Sequence, residues 1–135
     1  MTPQDALKFV SENHRAVLVT QRSNGGIQSS PVTVGSDDET VVISSREGAY
    51  KTRNLRRNPS ATLCVFTDAF FGSWMQIDGT VEIVSLPEAM DGLVDYYRRI
   101  RGEHPDWDEY ESVMEQEKRV LLRLMIERVG PTKSG

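Results

Sequence analysis

The chain has 135 residues, 38% of them hydrophobic and 27% charged, with a formal net charge of −4, which fits a single globular domain over 1–135 that needs no staple and excludes a disordered chain. No apolar run approaches the roughly 18 residues of a membrane helix, the N-terminus lacks a signal-peptide pattern, and one cysteine, Cys64, cannot close an intramolecular disulfide; the expected setting is the cytoplasm, with no membrane partner. An acidic chain also makes a poor polyanion binder, which sets nucleic acid aside as the main ligand.

In chain order, Thr2-Pro3-Gln4-Asp5 reads as a helix start, with Thr2 as N-cap, Pro in the first turn and an acid beside it. The helix carries a stripe of Ala6, Phe9 and Val10 and is expected to end near Asn13. Ala16 to Thr20 is a β-branched apolar run suited to a buried strand. Ser23-Asn24-Gly25-Gly26 offers turn residues, and Ile27 to Val34 completes a hairpin. Gly35 to Glu39 reads as a turn and Thr40 to Ser44 as a third strand. Ala49 to Arg57 is helix-competent and stops at Asn58-Pro59, because the residue before proline avoids the α region. Ala61 to Phe66 is a fourth strand, with Cys64 expected as a small buried apolar side chain. A loop with Phe70 and Phe71 leads to a long fifth strand, Trp74 to Val84, where Asp78-Gly79 marks a bulge or a close backbone approach.

Ser85-Leu86-Pro87-Glu88 has the pattern of a capping box opening a helix that Gly102 ends, with Arg98, Arg99 and Arg101 suited to its C-terminal dipole. Pro105 to about Glu117 reads as a second helix and Val120 to Ile126 as the last strand; the tail Pro131 to Gly135 is expected to fray. About six strands with short connections, an N-terminal helix and two helices inserted before the last strand predict a mainly β chain, an antiparallel barrel with peripheral helices.

The charge is unevenly spread. Asp78 to Lys118 holds twelve acidic against four basic residues, whereas Ser44 to Pro59 holds five basic residues and one acid. Ser44 and Ser45 at a strand end, then Lys51, Thr52, Arg53 and Asn54 near a helix start, combine hydroxyls, backbone N–H groups and cations, the donor set of a phosphate ester site. The competing reading is a solvated helix face whose cations pair with the acidic half. Trp74, Phe70 and Phe71 suggest either packing at a sheet edge or an apolar wall for a flat ring. His14 and His104 lie far apart and a lone cysteine cannot complete a zinc site, so no metal ligands are expected. No Gly-rich dinucleotide fingerprint, phosphate loop or nucleophile elbow occurs.

Lys51 to Pro59 resembles the signature of the split β-barrel flavin and deazaflavin oxidoreductases, the pyridoxamine-phosphate-oxidase-like superfamily. Together with Gly102 to Tyr110 and Arg119 to Leu122 it is similar to the actinobacterial branch that uses coenzyme F420, a deazaflavin. The resemblance implies an FMN-binding-type split barrel, a homodimer with its cofactor sites at the subunit interface, and hydride transfer from reduced F420 to an activated double bond. It places Gln28, Ser29, Ser30, Pro31 and Val32 against the ring and its sugar-like chain. Ser44, Ser45, Tyr50, Lys51, Thr52, Arg53 and Asn54 would hold the phosphate and acidic tail, and Gly72, Ser73, Trp74 and Met75 would come from the partner subunit. No side chain is implied as a catalytic acid or base. Relatives on the same fold use FMN or bind haem-type tetrapyrroles, and these remain the alternatives.

Overall fold

The computed structural model describes residues 1–131. Helix α1 (Pro3–Glu12) is followed by strands β1 (Arg15–Gln21), β2 (Ile27–Thr33), β3 (Gly35–Ser36) and β4 (Val41–Arg46), then helix α2 (Tyr50–Arg57). Strands β5 (Ser60–Phe66) and β6 (Trp74–Val84), helices α3 (Met90–Arg101) and α4 (Trp107–Gln116), and strand β7 (Arg119–Gly130) complete the order. The strands form one sheet, β2-β1-β5-β6-β7-β4-β3, antiparallel at every pairing.

Alternation decides which way each strand faces. Leu18, Val41, Ile43, Leu63, Val65, Ile77, Leu122 and Leu124 turn inward and are at most 2% exposed. Ala6, Leu7 and Val10 of α1 pack into the same core. The opposite face of β4 and β7 presents Val42 and Leu121 to Leu93, Tyr110 and Met114, so α3 and α4 cover the outside of the sheet. The sheet curls until β2 approaches β4. Those two strands are not paired. The barrel is therefore open along one seam.

Most predicted elements form where local signals place them. The α1 capping box is real: Asp5 N–H donates to Thr2 Oγ1, and Thr2 N–H to Asp5 Oδ2. Asn24 Oδ1 accepts from Gly26 N–H, and Gly25 takes φ +86°, which closes the β1–β2 turn. The β6–β7 register shifts at Asp78/Gly79, where a side-chain carbon on Gly79 would stand 2.1 Å from the Met125 carbonyl oxygen. Close approach is thus what requires glycine there.

Four expectations need correction. Seven strands stand where about six are expected; the correction is Gly35–Ser36, read as a turn, which pairs with Val41 and Val42. The Ser85 capping box does not form: α3 begins at Met90 with Ala89 as its cap, and the Ser85 hydroxyl instead accepts from Arg56. Strand β7 runs on to Gly130 because β6 is long enough to pair with it there. Cys64 is half-buried on the outer face, not in the core, since Leu63 and Val65 take the inward positions of β5. The expected fraying of the tail falls, beyond Pro131, outside the described residues.

Candidate functional site

The phase of the ladders shows what lies along the seam. Val34 N–H donates to the His14 carbonyl and Arg22 N–H to the Gly26 carbonyl, so the even-numbered residues of β2 bond to β1. Ser29, Pro31 and Thr33 then turn their backbone groups toward the seam. On the far side, Glu47 N–H bonds the Lys118 carbonyl, so Ser45 faces β7 while Ser44 and Arg46 face the seam. The Arg46 carbonyl accepts from Thr52 Oγ1 at 2.7 Å. The Thr33 carbonyl accepts from the Tyr96 hydroxyl at 2.8 Å.

Helix α2 stands beside this seam. Eight residues cannot sustain a helix in water; Leu55, 2% exposed, fixes it to the core, and Asn58 ends it. A hollow of about 480 Å³ lies on one side, bounded by Pro31 to Thr33, Ser44 and Lys51, with Tyr96 and Arg101 of α3, Tyr110 of α4 and Arg119 of β7. Another, of about 380 Å³, contains Gln28, Tyr50, Arg53 and Arg57 with Arg22 and Asn24 of the hairpin turn. Strand β2 lines both.

The cations divide into two groups. Arg56 is held by Glu47 and Arg46 by Glu117, with Arg119 sharing Glu117 at 2.8 Å. Among the described residues Arg22, Lys51, Arg53, Arg57 and Arg101 have no carboxylate partner. The solvated-face reading therefore accounts for Arg56 and Arg46 but not for these. Burial, then Arg119 and Arg46 nearby, pull the Lys51 ammonium below the usual lysine range, a strain that an arriving anion relieves.

The sequence-predicted residues are not all presented alike. Pro31, Val32, Ser44 and Lys51 meet at the seam hollow; Gln28, Tyr50, Arg53 and Asn54 meet at the other. Ser29 and Ser30 lie between them on β2. Ser45 and Thr52 are 1% and 0% exposed and bond to each other at 2.8 Å, so their hydroxyls tie α2 to β4 and do not reach a ligand. Asn54 is 5% exposed; its Nδ2 donates to Thr20 Oγ1 and Gln28 Oε1, and its Oδ1 accepts from Arg57. It holds two residues that face the hollow. Met75 is a core side chain.

Gly72 and Trp74 sit elsewhere, in an apolar hollow of about 650 Å³ with Val17, Cys64, Phe66, Phe70 and Phe71; Ser73 is exposed beside them. Phe71 is 97% exposed and Phe70 68%. A hollow of about 630 Å³ is lined by Leu86, Pro87 and Met90 and mixes Glu47, Glu111 and Glu115 with Lys118 and Arg119.

Sequence reading missed Tyr96, Arg101 and Arg119 at the seam hollow and Arg22 and Arg57 at the hollow that contains Gln28. Arg57 and Arg119 stood only within the motifs Lys51 to Pro59 and Arg119 to Leu122, and charge or the Tyr96-Tyr97 pair alone marked the others. Arg98 and Arg99 do stay structural, bonded to Glu103 and Asp95. The histidines bond backbone, His14 to the Val34 carbonyl and His104 to the Asp106 N–H. Among the described residues no three His, Cys, Asp or Glu side chains cluster as metal ligands, and no helix is long and apolar enough to cross a membrane.

Burial, and secondarily the Tyr96 phenol, push the Tyr110 phenol from about 10 up to about 12. Its hydroxyl donates to the Leu93 carbonyl at 2.9 Å. A folded-state value above the unfolded one stabilises fully below pH 10 and is lost as pH rises toward 12. Circular dichroism across that window should show alkaline unfolding whose steepness falls in Tyr110→Phe.

A curled antiparallel sheet left open along one seam, with cations beside it, defines a split β-barrel. The chain belongs to the pyridoxamine 5'-phosphate oxidase family, whose model matches residues 2–133. It is similar to an F420H(2)-dependent biliverdin reductase of Mycobacterium tuberculosis (strain CDC 1551 / Oshkosh), 28% identical over 93% of this chain and 84% of that protein. Among solved structures it resembles a conserved hypothetical protein of Mycobacterium tuberculosis, with TM-score 0.77 and 23% identity over 96% of this chain and 82% of that one. It also resembles an F420 reductase, with TM-score 0.71 and 19% identity over 91% and 94%.

Proposed function

We propose that the protein is a homodimeric, coenzyme F420-dependent reductase that passes a hydride from the reduced deazaflavin to an activated C=C bond or other conjugated group of a small molecule. One observation carries this reading: two cation-lined hollows, on either side of α2, share one strand as their floor. Gln28 to Thr33 spans roughly 16 Å at the rise of a β-strand. One phosphate, as in FMN, needs only one such hollow; a deazaflavin tail with a phosphodiester and several carboxylates can use both. The likeness to the F420H(2)-dependent relative supports the same choice.

Ser44 and Lys51, with Arg101 and Arg119, would take one anionic group, and Arg22, Arg53 and Arg57 the others. Gln28, fixed through its Oε1 by Asn54, has amide N–H groups to offer a ring edge or hydroxyl chain. Bound reduced deazaflavin supplies the hydride. The protein's part is to hold and orient donor and acceptor, which needs no dedicated acid or base. The exposed Phe70 and Phe71 and the hollow beside Trp74 support a dimer face, where aromatic residues are enriched. Across it Gly72, Ser73 and Trp74 would approach the partner's cofactor, while the Met75 side chain stays in the core.

Titration of the purified protein with oxidised F420 and, separately, FMN, followed by tryptophan quenching, tests the assignment. F420 should bind at least tenfold more tightly; tighter FMN binding sinks it. Light scattering should return twice the chain mass.

A further inference from the structure

The seam leaves the outer edge of β4 without a partner strand beyond Val42, where β3 ends. Arg46 is met there by Thr52, but Ser44 turns its N–H into the gap. On the facing edge, Thr33 turns its carbonyl the same way. One side chain stands between them. Tyr96, reaching down from α3, donates its hydroxyl to the Thr33 carbonyl at 2.8 Å. Tyr96 lines the seam hollow together with Ser44 and Thr33; burial raises the pKa of its phenol, and the Ser44 backbone N–H acts on it in the opposite sense, as a donor to its oxygen does. The phenol thus stands where a ladder bond would join β2 to β4 if the barrel closed. Helix α3 is itself held close: a side-chain carbon on Gly35 would lie 3.1 Å from Ile100 and 3.4 Å from Tyr96.

We propose that Tyr96 is a positioning residue, a strut across the open seam that holds β2 at the distance from β4 at which the shared floor of the two hollows accepts a long anionic ligand. The proposal rests on the deazaflavin reading for the ligand's identity, but the strut itself does not. Strand β2 is an edge strand, paired only with β1. Beyond Thr33 the chain is next tied to β4 at Gly35, which pairs with Val42; without the phenol, no described hydrogen bond of Thr33 itself crosses the gap. Ser44 and Lys51 on one side of the seam, and Pro31 to Thr33 on the other, would then shift relative to each other. A ligand touching both sides feels that shift; one touching Lys51 alone does not.

Tyr96→Phe removes the hydroxyl and keeps the ring. Amide hydrogen exchange on the ligand-free protein should show Ser30 and Val32, which bond to β1, exchanging at least fivefold faster in the variant, with β5 and β6 unchanged. The affinity for oxidised F420 should fall about fivefold, the scale of one hydrogen bond, while competition by inorganic phosphate stays within twofold. Unchanged exchange at Ser30 and Val32 overturns the strut, as does faster exchange with undiminished F420 affinity. Equal losses for F420 and phosphate also overturn it, since they indicate general loosening. If the unmodified protein binds no F420, the proposed function fails and the exchange measurement alone decides the strut.

Discussion

Lys51→Ala is expected to weaken oxidised F420 binding by about 1–3 kcal/mol without lowering the melting temperature, and Arg53→Ala to weaken it by a similar amount. The two effects separate for a physical reason. Among the described residues Lys51 has no carboxylate partner, and its charge is disfavoured by burial and by Arg119 and Arg46. Its ammonium therefore opposes folding slightly and is compensated only when an anion arrives. Alanine relieves the repulsion in the free protein and removes the attraction in the complex. Arg56→Ala is the contrast. Arg56 is already bonded through two nitrogens to Glu47 and borders neither hollow. Its loss should leave affinity within about twofold, since an exposed ion pair is worth at most about 1 kcal/mol. Quenching titrations and thermal melts on the three variants check this. Normal binding by both Lys51→Ala and Arg53→Ala would mean that the ligand lies elsewhere.

Asn54→Leu should lower both stability and affinity, the first by about 2–4 kcal/mol. The asparagine amide satisfies Thr20, which is 2% exposed, together with Gln28 and Arg57. Removing one partner from a buried polar group costs more than the bond itself contributes, about 1–3 kcal/mol for each group left unmet, and members of a network weaken together. Gln28 and Arg57 then lose the contacts that aim them. Urea unfolding measures the first effect and F420 titration the second. A stability loss with unchanged affinity would confine Asn54 to the fold.

Much of this architecture was legible because its causes are local. The Ala16–Thr20 run, the Ser23–Gly26 turn and the Asn58-Pro59 stop each act within a few residues, and each element formed in place. Gly35–Ser36 was hidden because nothing in two residues encodes a strand; it exists only as the partner of Val41 and Val42. The donor-rich run from Ser44 to Asn54 pointed to an anion site, and its residues do line two hollows. Which of them turn outward was not legible. Ser45 and Thr52 find each other across seven positions, and that pairing follows from how α2 folds back on β4. Arg101 and Arg119 arrive from elements distant in sequence, so composition could register their charge but not their convergence.

The unpaired seam also bears on solubility. A bare strand edge invites a strand from another chain, and proteins blunt such edges with proline or with side chains laid across them. Here Pro31 directs its nitrogen, which has no hydrogen to donate, toward the opening, while Thr52 occupies the Arg46 carbonyl and Tyr96 the Thr33 carbonyl. The gap admits a ligand between its walls yet offers an incoming strand few groups in register, so the barrel can stay open without acting as a template for aggregation.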